Sequence, residues 1–162
     1  MQTPTETPVA AAVTSATQPP APGQHWPEQG GTYIGISSAE GGMPAHHLVA
    51  LDITPSKRLT WAAAKKWADS LGDGARLPTQ LEAMLAWTTS RDAFENGWYW
   101  TGTQLSRNDA FVQDFEGGFS YWGFKGNEHR VRAFRGLTLD IFTPLPAEPV
   151  RADFSADAQV AA

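Results

Sequence analysis

RLPTQLEAMLAWTTSRDAFENGWYW, residues 76–100, carries the signals around which the rest of the chain can be placed. Leu77-Pro78 cannot continue a helix, because proline has no amide donor and pushes the residue before it toward extended backbone. Thr79 follows as an N-cap, and Glu82 stands three residues later, the spacing of a capping box. Leu81, Met84 and Leu85 recur at helical spacing and predict one buried stripe on a helix that ends near Thr89 or Ser90. From Trp98 the period changes to two, and 98–103 (WYWTGT) reads as an aromatic strand. Taken alone, the stretch requires no more than a well-formed helix entry followed by a strand.

Upstream, 30–36 (GGTYIGI) and 47–53 (HLVALDI) read as two strands of a hairpin joined by a Gly-rich turn. Thr60 can cap a first helix over 61–71, with Trp61, Ala64, Trp67, Ala68 and Leu71 on its apolar stripe and Lys65, Lys66 and Asp69 toward water. GDGA ends it, glycine being the usual C-terminal stop. Downstream, 110–115 (AFVQDF) and 119–125 (FSYWGFK) flank the tight turn Glu116-Gly117-Gly118. A last strand is predicted over 130–135 (RVRAFR), with Val131 and Ala133 on one face and Arg130 and Arg132 on the other. Residues 137–142 extend it or form an edge.

Composition bounds the rest. With 162 residues there is room for one domain and two tails. A formal charge of −5 argues against a nucleic-acid surface, which needs clustered Lys and Arg. No Cys is present, which removes a disulfide framework, a thiolate nucleophile and a Cys-based zinc site. No Lys or Arg precedes Lys57, so the N-terminus lacks the charged opening of a secretory signal. No apolar run is long enough to cross a bilayer. The expectation is synthesis in the cytoplasm without a signal peptide. Six of the seven tryptophans lie between Trp61 and Trp122, among many glycines, which suggests a loop-rich α+β fold rather than a helical bundle. The Pro-, Thr- and Ala-rich start has Glu6 as its only charge up to Gln24 and reads as a disordered leader or as an arm that orders against a partner. The expected division is 1–28 arm, 29–143 domain, 144–162 tail.

Two strands, two helices and a run of short aromatic strands follow the order of elements in C-type-lectin-like domains. At Leu77-Pro78-Thr79, with Glu82, at Tyr99-Trp100-Thr101, at Asp114 to Gly118 and at the closing Arg-Val-Arg run, the chain resembles the Lcl C-terminal domain family, a disulfide-free bacterial and phage branch of that fold. One departure is Gly102, where the strand pattern has a second Ser or Thr. The resemblance spans roughly 30–142. It implies two helices with short twisted antiparallel strands, and a binding or display module more than an enzyme.

The chemistry agrees with that expectation. Formylglycine-generating relatives of the fold depend on cysteines, which this chain lacks. His46 and His47 are adjacent on a strand and point to opposite faces, and His129 stands alone near a turn, so no metal set and no cofactor is expected. Asp109, Asp114 and Glu116 read as turn acids. The Glu-Pro-Asn and Gln-Pro-Asp tripeptides of calcium-dependent lectins are absent, and Asn108-Asp109 is preceded by Arg107 rather than Trp.

The remaining candidate surface is the second hairpin. Alternation places Phe119, Tyr121 and Lys125 on one face and Ser120, Trp122 and Phe124 on the other, and both cannot be equally buried in a small sheet. Either one aromatic set is exposed or covered by a partner, or both pack under the domain's own loops. Trp61, Trp67, Trp98 and Trp100 are expected in the core. Arg130, Arg132 and Arg135 form an anion-binding stripe or, the favoured alternative, pair with Asp114, Glu116 or Glu128.

The candidate binding residues are therefore Arg107, Asn108, Asp109, Phe119, Tyr121, Trp122, Lys125, His129, Arg130 and Arg132, with no catalytic residue. The function expected is a phage virion structural or surface-decoration protein. It would be anchored by its tails to other structural proteins, show the hairpin to a host surface protein or glycan, and form a homo-oligomer, a trimer among the options. The alternative is a bacterial adhesin-type domain that binds sulfated glycans. Neither reading involves nucleic acid or membrane insertion, and the final location is the virion surface or otherwise the cell surface.

Overall fold

A computed structural model describes residues 18–139. Most of the expected arm and all of the expected tail lie outside the described residues. The elements are β1 (His25–Trp26), β2 (Gly31–Ser37), β3 (His46–Leu51), α1 (Trp61–Ser70), α2 (Gln80–Ser90), β4 (Trp98–Gln104), β5 (Asp109–Asp114), β6 (Ser120–Phe124) and β7 (Phe134–Thr138). They form two antiparallel sheets, β1-β2-β3-β7 and β4-β5-β6, an α+β arrangement.

The four-stranded sheet is buried on both faces. Tyr33, Val49 and Leu51 join Ala64 and Ala68 of α1 and Trp100 of β4 on one side. Ile34, Leu48 and Ala50 meet Ala86 of α2, Tyr99 and Phe115 on the other. This is why HHLVAL, all six residues of β3, is buried and shows no alternation. On the second side Phe94 stacks on Phe115 with centroids 4.1 Å apart and meets Tyr99 edge-on.

The capping box forms as expected. Thr79 Oγ1 accepts from the Glu82 amide at 3.2 Å, and Glu82 Oε2 accepts from the Thr79 amide at 2.8 Å. The expected stripe forms only in part: Leu85 packs against the core, but Leu81 and Met84 do not. Leu81 is 55% exposed and Met84 41%, while Glu82, Ala83, Ala86 and Ser90 are the buried residues of α2. Small side chains let the helix lie close against β2, with Leu85 and Trp87 packed at the margin of the core and Leu81 and Met84 turned aside.

Glu82 is buried because it serves more than the cap. Arg76 donates to both its oxygens at 2.6 and 2.7 Å, and His46 Nε2 lies 2.8 Å away. Thr60 precedes α1 in extended backbone but makes no side-chain cap bond.

Two boundaries and one burial expectation also change. His25 and Trp26, placed in the arm by the sequence reading, form β1 on the edge of β2, and Trp26 is buried. The boundary at 28 therefore falls inside the sheet. Residues 130–135 are not one strand. His129 and Arg130 make isolated bridges to Leu59 and Tyr99, and the chain then crosses to the other sheet, where β7 pairs with β3 from Phe134. Trp98, expected in the core, opens β4 and is 36% exposed, whereas Trp100 is fully buried.

Candidate binding surface

The β5–β6 hairpin is built on Asp114. Its Oδ1 accepts from the Glu116 amide at 3.0 Å and its Oδ2 from the Gly117 amide at 2.8 Å, an Asx-type turn. Gly118 closes the turn at φ +82°, and a Cβ there would fall 2.4 Å from the Trp87 ring. Asp114 is thus a buried turn-former. Asp109 has a similar task in the preceding loop, where its Oδ2 accepts from Ser106 Oγ at 2.8 Å. Arg107 and Asn108 are exposed in that loop.

The register pairs Phe111 with Trp122, Asp109 with Phe124, and Val112 with Tyr121. Phe119, Tyr121, Trp122 and Phe124 are 69%, 53%, 47% and 57% exposed, so the aromatics do not pack under the domain's own loops. Phe111, half-buried opposite Trp122, belongs to the same surface. The sequence reading missed it, although counting back across the Gly-Gly turn gives its register.

The Tyr121 and Trp122 rings stack at 4.2 Å with 16° between planes. Successive side chains start on opposite faces of a strand, so this stack requires both rings to lean past the open edge of β6. The ring pair thereby shields that edge from a foreign strand.

The expected cationic residues are otherwise engaged. Arg132 Nε donates to Leu51 O at 2.8 Å, and its terminal nitrogens reach Ala93 O and Asp52 Oδ1. Arg130 pairs with Glu95, and Arg135 donates to Gln29 O at 2.6 Å. None of the three meets Asp114, Glu116 or Glu128, and their partners lie 35 to 106 residues away in sequence. Arg130, Arg132, Asp52, Glu95 and Tyr99 border a polar cleft of about 370 Å³ in which the charges offset one another. The anion-binding stripe is not present as such. Lys125 donates to Gln104 Oε1, Ser106 O and Arg107 O at 2.9 to 3.0 Å and lies over the Trp61 ring, where it clasps the loop before β5.

His129 stands edge-on to Trp100 at 4.6 Å, and a Cβ on Gly123 would sit 3.2 Å from its Nε2. It supports β6 from beneath and is only half-exposed. Burial, then the charge of Arg58, holds its pKa below 6.5. Burial, then His46, does the same for His47, which lies 2.8 Å from Tyr33 Oη.

A histidine that binds its proton more weakly when folded gives stability that is complete above 6.5 and lost as pH falls below it, because the unfolded chain takes up the proton first. We expect the Tm to fall between about pH 7 and about pH 5. The fall should be shallower in His129→Gln, as thermal denaturation across that range would show. An unchanged slope in His129→Gln would remove His129 from the account.

Among the described residues no group of three His, Asp or Glu side chains is placed to hold a metal ion.

No family model and no curated protein matches the chain. Among solved structures, botrocetin aligns at 11% identity over 63% of this chain and 96% of that one, with a TM-score of 0.45. A chain of the complex between the von Willebrand factor mutant (I546V) A1 domain and botrocetin aligns at 11% identity over the same shares, with a TM-score of 0.40. Likeness at this level carries no conclusion about ligand or family, and the α+β architecture stands on its own topology.

Proposed function

We propose that the chain is a non-enzymatic binding or display module of C-type-lectin-like architecture, and that the aromatic surface of β5 and β6 is its contact surface. The observation that carries this reading is the exposure of Phe119, just before β6, and of Tyr121, Trp122 and Phe124 on β6, the last strand of its sheet. The four aromatic side chains start on both faces of the strand and are joined by the Tyr121–Trp122 stack; together they expose roughly 400 Å² of apolar surface, comparable with the largest patches on single-chain proteins, which are often functional. Tyr and Trp are also enriched where binding energy concentrates. A protein partner suits this patch better than a sulfated glycan, because Arg130, Arg132 and Arg135 are committed to carbonyls, Glu95 and Asp52. In its finer form the module decorates a phage virion and shows this surface to a host protein.

The test presents immobilised protein, as wild type and as Trp122→Ala/Phe124→Ala, to envelope preparations from a panel of bacteria and to sulfated glycans. The expected result is envelope-protein binding that falls at least roughly tenfold in the double variant, with an unchanged Tm. Equal binding by the two proteins sinks the reading. Glycan binding that weakens with salt would transfer the function to the adhesin form.

A further inference from the structure

Four of the cations without an acidic partner lie close together in sequence, on α1 and the loop before it, while Arg91 and Arg107 lie elsewhere. Lys57, Arg58, Lys65 and Lys66 are all exposed, and none meets an acidic side chain among the described residues. Lys65 lies 4.5 Å from the Trp61 ring centroid, and Lys125 approaches the same ring at 4.3 Å. Asp69 is exposed on the same helix, and four cations against that one carboxylate leave a local excess of positive charge in a chain of net charge −5.

This positive region borders a concave surface. Pro55, Leu59, Ala63 and Trp67 form the floor of a cleft of about 460 Å³, and Lys57 and Lys66 stand among its lining. That volume lies within the usual range of small-molecule sites. The floor is apolar because Leu59 and Trp67 are partly buried against the main core, so their outer surfaces are held in place by the fold. The polar lining besides the lysines is sparse. Ser56 and Ser70 contribute hydroxyls, and Ser70 Oγ already donates to Trp67 O at 2.6 Å. No carboxylate or carboxamide lines the cleft to accept the hydroxyls of a neutral sugar.

We propose that this cleft binds an amphipathic anion, with its apolar body over Leu59 and Trp67 and its phosphate or carboxylate head between Lys57 and Lys66. The head replaces water on two ammonium groups, which attract it from solution and have no competing carboxylate. The body covers apolar surface that is otherwise wet. A soluble organic phosphate and an anionic lipid headgroup share this chemistry. The site lies on α1 and the loop before it, uses none of the β5–β6 aromatics, and does not depend on the function proposed above.

The test follows the Trp67 indole and Lys66 amide signals by NMR as octyl phosphate, inorganic phosphate or octyl glucoside is added, each below its micelle concentration. Octyl phosphate is expected to shift both signals saturably. Inorganic phosphate and octyl glucoside should bind at least roughly tenfold more weakly, since each supplies only half of the interaction. Lys57→Gln/Lys66→Gln should weaken octyl phosphate roughly tenfold without changing the Tm, both lysines being exposed and without a salt-bridge partner. Vesicles of phosphatidylglycerol that broaden the same signals, where phosphatidylcholine does not, would identify a lipid headgroup as the source. Equal binding of inorganic phosphate, no loss in the double variant, or a response to vesicles with none to octyl phosphate would each overturn the proposal.

Discussion

Replacing Glu82 with alanine is expected to cost about 3–5 kcal/mol of stability, the range for breaking a buried ion pair from one side. The Glu82 side chain is fully buried. It accepts from both terminal nitrogens of Arg76, from His46 Nε2 and from the Thr79 amide, all within 2.6 to 2.8 Å. Alanine removes every acceptor at once. The Thr79 amide loses its acceptor, and the Arg76 guanidinium, one quarter exposed, keeps only the carbonyl of Leu77 and a long 3.5 Å contact with His46 Nε2. Glu82→Gln keeps the shape and one acceptor and should cost about 1–3 kcal/mol, because an amide cannot receive two guanidinium donors.

The pH dependence separates the two effects. Burial raises the Glu82 pKa, but hydrogen bonding and charge from Arg76, the Thr79 amide and His46 outweigh it, and the folded value lies below 4.5. The carboxylate therefore contributes stability that is complete above 4.5 and drains as the pH falls through the folded value. Urea denaturation of Glu82→Gln should show a flatter acid limb than wild type. A Glu82→Gln protein as stable as wild type, with the same acid limb, would refute this role.

What the sequence showed and what it hid divide along the range of the interactions. The capping box at Thr79 and Glu82 was legible because both partners lie within one turn. The second task of Glu82 was not, because His46 lies 36 residues away and spacing carries no information about it. The face of α2 was misread for the same reason. Of the stripe Leu81, Met84 and Leu85 only Leu85 packs against the core, because contact with β2 favours the small Ala83 and Ala86, which permit close approach.

The run 130–135 alternates like a strand, yet its arginines are drawn to Glu95, Asp52 and Gln29, and the ladder begins at Phe134, where β3 is available. The exposed aromatics of β6 were legible only in part: a short edge strand cannot bury two aromatic faces, but the sequence left packing under the domain's own loops open, and both aromatic sets are exposed. Phe111 required a cross-strand register as well. The cationic cleft gave no signal at all, because Trp67 reads as part of the buried stripe of α1, and Leu59 and Ala63 join it only when the loop at Pro55 is folded beside them.

Arg132→Ala distinguishes the two roles that its position allows. A guanidinium kept for an external anion could be removed with little effect on stability. Here the side chain is only 9% exposed and joins segments far apart in sequence. It reaches Leu51 O at the end of β3, Ala93 O in the turn after α2, and Asp52 Oδ1 at 3.2 Å, and it lies 4.6 Å from the centroid of the Phe94 ring. Alanine would leave these carbonyls without their donor and open a void beside Phe94.

Each buried acceptor left unpaired costs about 1–3 kcal/mol, so a total of about 3–5 kcal/mol is expected for Arg132→Ala. Arg132→Lys should recover less than half of it, because one ammonium cannot reach three separate acceptors in the plane that a guanidinium spans. Urea unfolding is the measurement, with a lower midpoint and an unchanged slope as the expected result. A midpoint within error of wild type would return Arg132 to the surface as a ligand-binding cation. With the loss expected here, an anion-binding defect in this variant would follow from a disordered scaffold. A cationic ligand site on this chain is therefore better sought at Lys57 and Lys66, whose charges are not used by the fold.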